Sequence, residues 1–155
     1  MNLEKITILI ADDDEEDQGL IRDAILHKGD CGLDIRFVNN GEELLDYLYR
    51  KNQFANDSPR PSLILLDLKM PKKGGIEAIK EIKENWGLKD IPVIILSSSG
   101  EEKDITSSYK HGVNSYIVKP IGFNGMIEAM KRLQEFWIEV AELPEDFFIG
   151  DDENV

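Results

Sequence analysis

Asp12-Asp13, Asp67, Ser97 and Lys119 each stand where an apolar run ends, and together they are the side chains of this chain best suited to chemistry. Asp67 follows Ser62-Leu63-Ile64-Leu65-Leu66, and Leu68-Lys69-Met70-Pro71 comes after it. A carboxylate is costly to bury, so Asp67 belongs at the end of that run, within reach of water, a metal or a base. Taken alone it reads as a loop-capping aspartate; the other polar strand ends, which suit the same site, argue for more. Three converging carboxylates make a hard-oxygen site. Magnesium is its natural occupant, because it takes one or two carboxylates and keeps waters for a phosphate ligand. A lysine and a hydroxyl beside such a site suit a phosphoryl group, the first offsetting charge and the second donating a hydrogen bond. No histidine or cysteine ends these runs, and His27 and His111 fall at helix ends, where they read as surface residues. Asp67 is then the best nucleophile, and its product is an aspartyl phosphate.

The elements that must position these groups follow from apolar patterning. Lys5 to Ala11 is β-branched and apolar, a buried strand running into Asp12 and Asp13. Leu20, Ile21, Ala24, Ile25 and Leu26 then recur at helical spacing. Asp14 suits the N-cap, and Glu15, Glu16 and Asp17 suit the positive end of the helix dipole. That account leaves Asp12 and Asp13 unexplained, since adjacent carboxylates at a strand end repel unless something positive binds. An EF-hand loop is excluded, because Asp17 holds the sixth position, where glycine is required. Leu33–Val38, Ser62–Leu66, Pro92–Leu96 and Ser115–Val118 read as further strands. Helices are expected over 42–50, 75–85, 101–109 and 123–141, with a surface loop over 52–61 whose two prolines exclude a continuing helix. Strands alternating with helices predict an α/β fold: a doubly wound five-stranded parallel sheet in the flavodoxin-like order 2-1-3-4-5. In that order the carboxyl ends of strands one, three, four and five face one crevice, so the site forms at the switch point.

The chain of 155 residues is one domain's worth, and its net charge of −13 argues against a nucleic-acid surface. One cysteine, Cys31, cannot form an internal disulfide, which fits a reducing cytoplasm. No apolar stretch approaches the ~20 residues needed to span a bilayer. The N-terminus lacks a signal-peptide layout. The expected division is a domain over 4–141 and an acidic, loose tail over 142–155.

Asp12-Asp13, Asp67 followed by Lys69-Met70-Pro71, Ser97, and Lys119-Pro120 agree in type, order and position with one family. Over residues 4–141 the chain resembles the receiver domain of two-component response regulators, with serine at position 97 where threonine is commoner. The resemblance implies that Asp67 takes a phosphoryl group from a phosphohistidine on a sensor histidine kinase. It implies that Asp13 binds Mg2+ directly and Asp12 through water, with Asp67 and the backbone carbonyl of Lys69 completing the set. It further implies that Lys119 pairs with phosphoryl oxygens, that Ser97 bonds to them and moves, and that Tyr116 is the switch aromatic that turns inward behind it. No output region is expected beyond the receiver, so the expected role is a stand-alone regulator acting by protein contact, or an intermediate carrier in a phosphorelay. The loop 52–61 and the ending Glu135-Phe136-Trp137…Leu143-Pro144 resemble the small regulators paired with bacterial phytochrome kinases.

Haloacid-dehalogenase-type phosphatases also form an aspartyl phosphate, but they carry a general acid two residues after the nucleophile, where Lys69 stands here. A receiver that binds partners without phosphorylation gains no support, because the required residues are all present. The last helix carries Phe123, Met126, Ile127, Met130, Leu133, Phe136, Trp137 and Val140, a wider apolar set than the ~100° stripe one sheet face needs. With the family's habit of pairing through helix four, strand five and helix five, this predicts a homodimer that buries Phe136 or Trp137. In the family, the positions two past the acceptor (Lys69) and two past the switch hydroxyl (Ser99) border the path of hydrolytic water. A lysine there has only donors, and a serine is short, which predicts slow self-hydrolysis.

Overall fold

The computed structural model describes residues 6–27, 29 and 32–144; the expectations for Lys5, for Cys31 and for the tail from residue 145 lie outside them. Its elements are β1 (Thr7–Ala11), α1 (Glu15–Ile25), β2 (Asp34–Val38), α2 (Gly41–Tyr49), β3 (Leu63–Leu66), α3 (Gly75–Glu84), β4 (Val93–Ser97), α4 (Glu102–Lys110), β5 (Ser115–Val118) and α5 (Gly122–Gln134). The strands form one parallel sheet in the order β2-β1-β3-β4-β5, the expected topology.

Side chains alternate across this sheet, and each face has its own core. Leu9, Ile64, Leu66 and Ile95 meet Leu44 and Leu45 of α2 and Ala78, Ile79 and Ile82 of α3. Ile8, Ile10, Leu65 and Ile94 meet Ile21 and Ile25 of α1 and Met126, Met130 and Leu133 of α5. Helices on both faces explain why β1, β3 and β4 are buried along their whole length and read as continuous apolar runs. Each fully buried Leu or Ile contributes roughly 1.5–3 kcal/mol relative to exposure. The first helix begins where the sequence indicates: Asp14 accepts hydrogen bonds from the Glu16 and Asp17 N–H groups.

The loop 52–61 is tied down. A 3-10 turn over Asn52–Phe54 lays the Phe54 ring against Tyr47 at 5.3 Å between centroids. The Tyr47 hydroxyl donates to the Pro59 carbonyl at 2.8 Å, and the Ser58 hydroxyl donates to that of Phe54 at 2.8 Å.

The last helix differs from its expected single span over 123–141. α5 stops at Gln134, and a π-helical segment, Glu135–Val140, continues it, closed by a bond from the Ala141 N–H to the Phe136 carbonyl. Widening the turn lets the adjacent Trp137 and Ile138 both pack on the α1–α5 core, while Phe136 is left exposed. Such bulges shift the facing of the residues that follow, which a 3.6-residue period cannot anticipate.

Candidate functional site

Register sets the site. Ala11 pairs with Leu66 across β1 and β3, so Asp12 and Asp67 are the next residues on neighbouring strands. The Asp67 N–H bonds the Ala11 carbonyl at 3.0 Å, and the Asp12 N–H bonds that of Val38 at 3.0 Å. On the other side, Ser97 pairs with Val118, and the Lys119 N–H donates to the Ser97 carbonyl at 2.7 Å. Three strand ends thereby deliver two carboxylates and an ammonium to one crevice.

Oxygens of Asp12, Asp13 and Asp67 lie within 4.8 Å of one another. Asp12 is 1% exposed and Asp67 9%, whereas Asp13 faces solvent. Asp12 accepts from the Asp14 N–H at 2.9 Å, and Asp67 from the Lys69 N–H at 3.4 Å. Lys119 Nζ sits among the carboxylates, 2.8 Å from Asp12, 2.7 Å from Asp17 and 3.3 Å from Asp67. Burial raises the Asp12 pKa above its ordinary value, and the hydrogen bonds from Lys119 and the Asp14 N–H offset this only in part. For Lys119 burial acts downwards, but the hydrogen bonds to Asp12 and Asp17 and the charge of Asp67 outweigh it, so its pKa is raised and it stays charged. An all-oxygen cluster with one solvent-facing member fits a hard divalent cation and leaves an open side for a ligand.

The remaining expected residues line one edge. Ser97 is buried, and its hydroxyl accepts from the Ser99 N–H at 3.2 Å. Tyr116 is turned inward against the α2–α3 core, and its hydroxyl donates to the Ser99 carbonyl at 2.7 Å. The Lys69 side chain is exposed. Sequence reasoning missed Asp17, which it assigned to the dipole of α1 alone. No signal in the sequence set it apart, because an acidic residue in the first turn of a helix already suits the dipole.

The model of the response regulator receiver domain matches residues 8–131. The chain belongs to this family. As a receiver, it is 35% identical over 137 residues to the response regulator Rcp1 of Synechocystis sp. (strain PCC 6803), covering 88% of this chain and 92% of Rcp1. It superimposes on the crystal structure of the phosphorylated cyanobacterial phytochrome response regulator RcpA with a TM-score of 0.85 and 39% identity, covering 92% of this chain and 100% of that one. It matches the crystal structure of the Mn(2+)-bound form of Rcp1 at a TM-score of 0.82 and 34% identity, covering 90% of this chain and 99% of that one. The receiver's family role is phosphorylation on an aspartate in two-component signalling. Among the described residues no helix is long and apolar enough to cross a membrane.

Proposed function

We propose that this receiver accepts a phosphoryl group on Asp67 from a sensor histidine kinase and signals by protein contact in the cytoplasm, without turning over a substrate of its own. The observation that carries this reading is the Asp67 carboxylate, buried to 9% exposure beside Asp12 and Asp13, with Lys119 Nζ 3.3 Å away. An Asp67 oxygen attacks phosphorus as the bond to the kinase histidine breaks, and the imidazole leaves with that electron pair. The Lys119 ammonium balances the phosphoryl oxygens, and the Ser97 hydroxyl donates to one of them after leaving the Ser99 N–H. Tyr116, already inward on the Ser99 carbonyl, holds the β4–α4 loop in the arrangement that this movement needs. Asp12, Asp13, Asp67 and the Lys69 carbonyl would hold Mg2+, which offsets phosphoryl charge when bound.

A kinase of phytochrome type is the favoured partner, supported by likeness to RcpA along nearly all of this chain. A phosphatase reading is disfavoured because the position for its general acid is Lys69, exposed and unable to serve as that acid. The receiver unit is taken as 4–141, followed by the acidic tail 142–155. Incubation with acetyl phosphate and Mg2+ tests the function. One phosphoryl group per chain is expected, stable to acid and labile to base, and none on Asp67→Asn. Labelling retained by that variant would move the acceptor, and continuous phosphate release would restore the phosphatase.

A further inference from the structure

A lysine ammonium has three N–H donors, and carboxylates engage all three of Lys119's: Asp17 at 2.7 Å, Asp12 at 2.8 Å and Asp67 at 3.3 Å. Asp12 and Asp67 belong to the cluster that fits a divalent cation; Asp17 does not. An ammonium bonded to two carboxylates of a metal site competes with the metal for oxygen lone pairs and repels it at short range. The same ammonium must stay beside Asp67 to meet a phosphoryl oxygen. Only a carboxylate outside the metal set reconciles the two demands. Asp17 has that position: it lies in the first turn of α1, half-buried at the mouth of the crevice. Service to the helix dipole does not account for it. Glu15 and Glu16 occupy the same turn, and the N-cap bond from residue 17 uses its backbone N–H, leaving the side chain to Lys119.

We propose that Asp17 is a positioning residue: it takes the Lys119 ammonium when a cation occupies Asp12, Asp13 and Asp67, and keeps it within reach of the acceptor. The proposal rests on the reading of those three aspartates as a metal site.

The test is calorimetric titration of the full chain with MgCl2 in the parent, Asp17→Asn, Lys119→Met and the double variant. In the parent background Asp17→Asn should weaken binding about tenfold, a size typical of outer-shell partners. In the Lys119→Met background the same change should cost less than about twofold, since there is no ammonium left to draw off. A plain loss of negative charge would act on the cation alike in both backgrounds, so equal factors overturn the proposal, as does an unchanged affinity in Asp17→Asn. A second measurement avoids dependence on the folding of Lys119→Met. At saturating Mg2+ the labelling rate of Asp17→Asn by acetyl phosphate should stay several-fold below the parent, because Lys119 remains misplaced when metal affinity no longer limits. A rate restored by saturation overturns it. Absence of magnesium binding in the parent removes the metal reading and the proposal together; binding with equal factors removes the proposal alone.

Discussion

With Asp67 as the proposed acceptor, hydrolysis of its phosphoryl group requires water held in line behind the phosphorus, and the resemblance to receivers implies that Lys69 and Ser99 border that path. Both are poorly placed to hold it. The Lys69 side chain is exposed and carries only donors. The Ser99 hydroxyl is already committed, donating to Asp104 at 2.5 Å and accepting from the Glu101 N–H at 3.2 Å. A slowly hydrolysed phosphate is therefore expected, with switching off left to the kinase or to transfer onwards. Placing an acceptor at the exposed position, by Lys69→Asn or Lys69→Glu, should shorten the lifetime by one to two powers of ten, or roughly 1.4–2.8 kcal/mol of barrier. Decay of the labelled protein in magnesium buffer measures this. Loss within seconds from the parent, or unchanged decay in the variants, would show that water positioning does not set the rate.

Two loops, one beside the site and one at the opposite edge of the sheet, are each held by a contact that can be tested. The loop after β3 is pinned to the start of α2, where the Gly41 N–H donates to the Lys73 carbonyl at 3.0 Å. A Cβ at position 41 would stand 2.2 Å from that oxygen, so Gly41→Ala must push away the segment that carries Lys69. The expected cost is about 1–3 kcal/mol of stability, with weaker magnesium binding, read by thermal melting with and without the ion. A variant that melts like the parent would mean that the loop shifts freely. The second loop, 52–61, is held by Tyr47. Burial raises the Tyr47 pKa from 10.0 to about 12, with the nearby Arg36 charge opposing. The folded chain thus favours the neutral phenol, so this contribution is complete below pH 10 and is lost as pH rises from 10 towards 12. Its full size is on the order of 2–3 kcal/mol. Tyr47→Phe should be less stable at neutral pH, having lost the bond to Pro59, but its stability should fall less steeply over that window. Parallel pH profiles by urea denaturation would refute it. Neither device was visible in the sequence, where the helix was expected to begin only at residue 42 and the loop 52–61 had no partner assigned.

At the scale of the molecule, the topology was legible because its central strands are covered on both faces and therefore spell unbroken apolar runs, each ended by a polar residue at the crevice. Asp12, Asp13, Asp67 and Lys119 could be placed together from that order alone. Asp17 could not, because its partner is 102 residues away and its local role as a helix-dipole residue already sufficed. The apolar width of the last helix was legible too, but not what covers it. The sheet takes Met126, Met130 and Leu133, and the π-helical turn delivers Trp137 and Ile138 to the same core. Phe136 remains 53% exposed and Ile121 fully so, with Val118, Phe123 and Tyr109 also exposed. They belong to β5, α4, the start of α5, the turn before it and the π-helical segment after it, the side for which a homodimer is expected from the resemblance, and we infer that a second copy covers them. A chain of net charge −13 meets its copy against repulsion, and salt screens that repulsion beyond about 10 Å at 0.1 M. The homodimer should therefore tighten as salt rises, the opposite of an interface built on ion pairs. Phe136, whose ring stands edge-on to Trp137 at 5.3 Å between centroids, is the residue to change: Phe136→Asp should cost the monomer no more than about 0.5–1.5 kcal/mol and abolish the dimer. Sedimentation velocity from low to high salt decides it, with and without phosphorylation. A parent that stays monomeric under all these conditions, or a Phe136→Asp variant that still pairs, would leave that face without its partner.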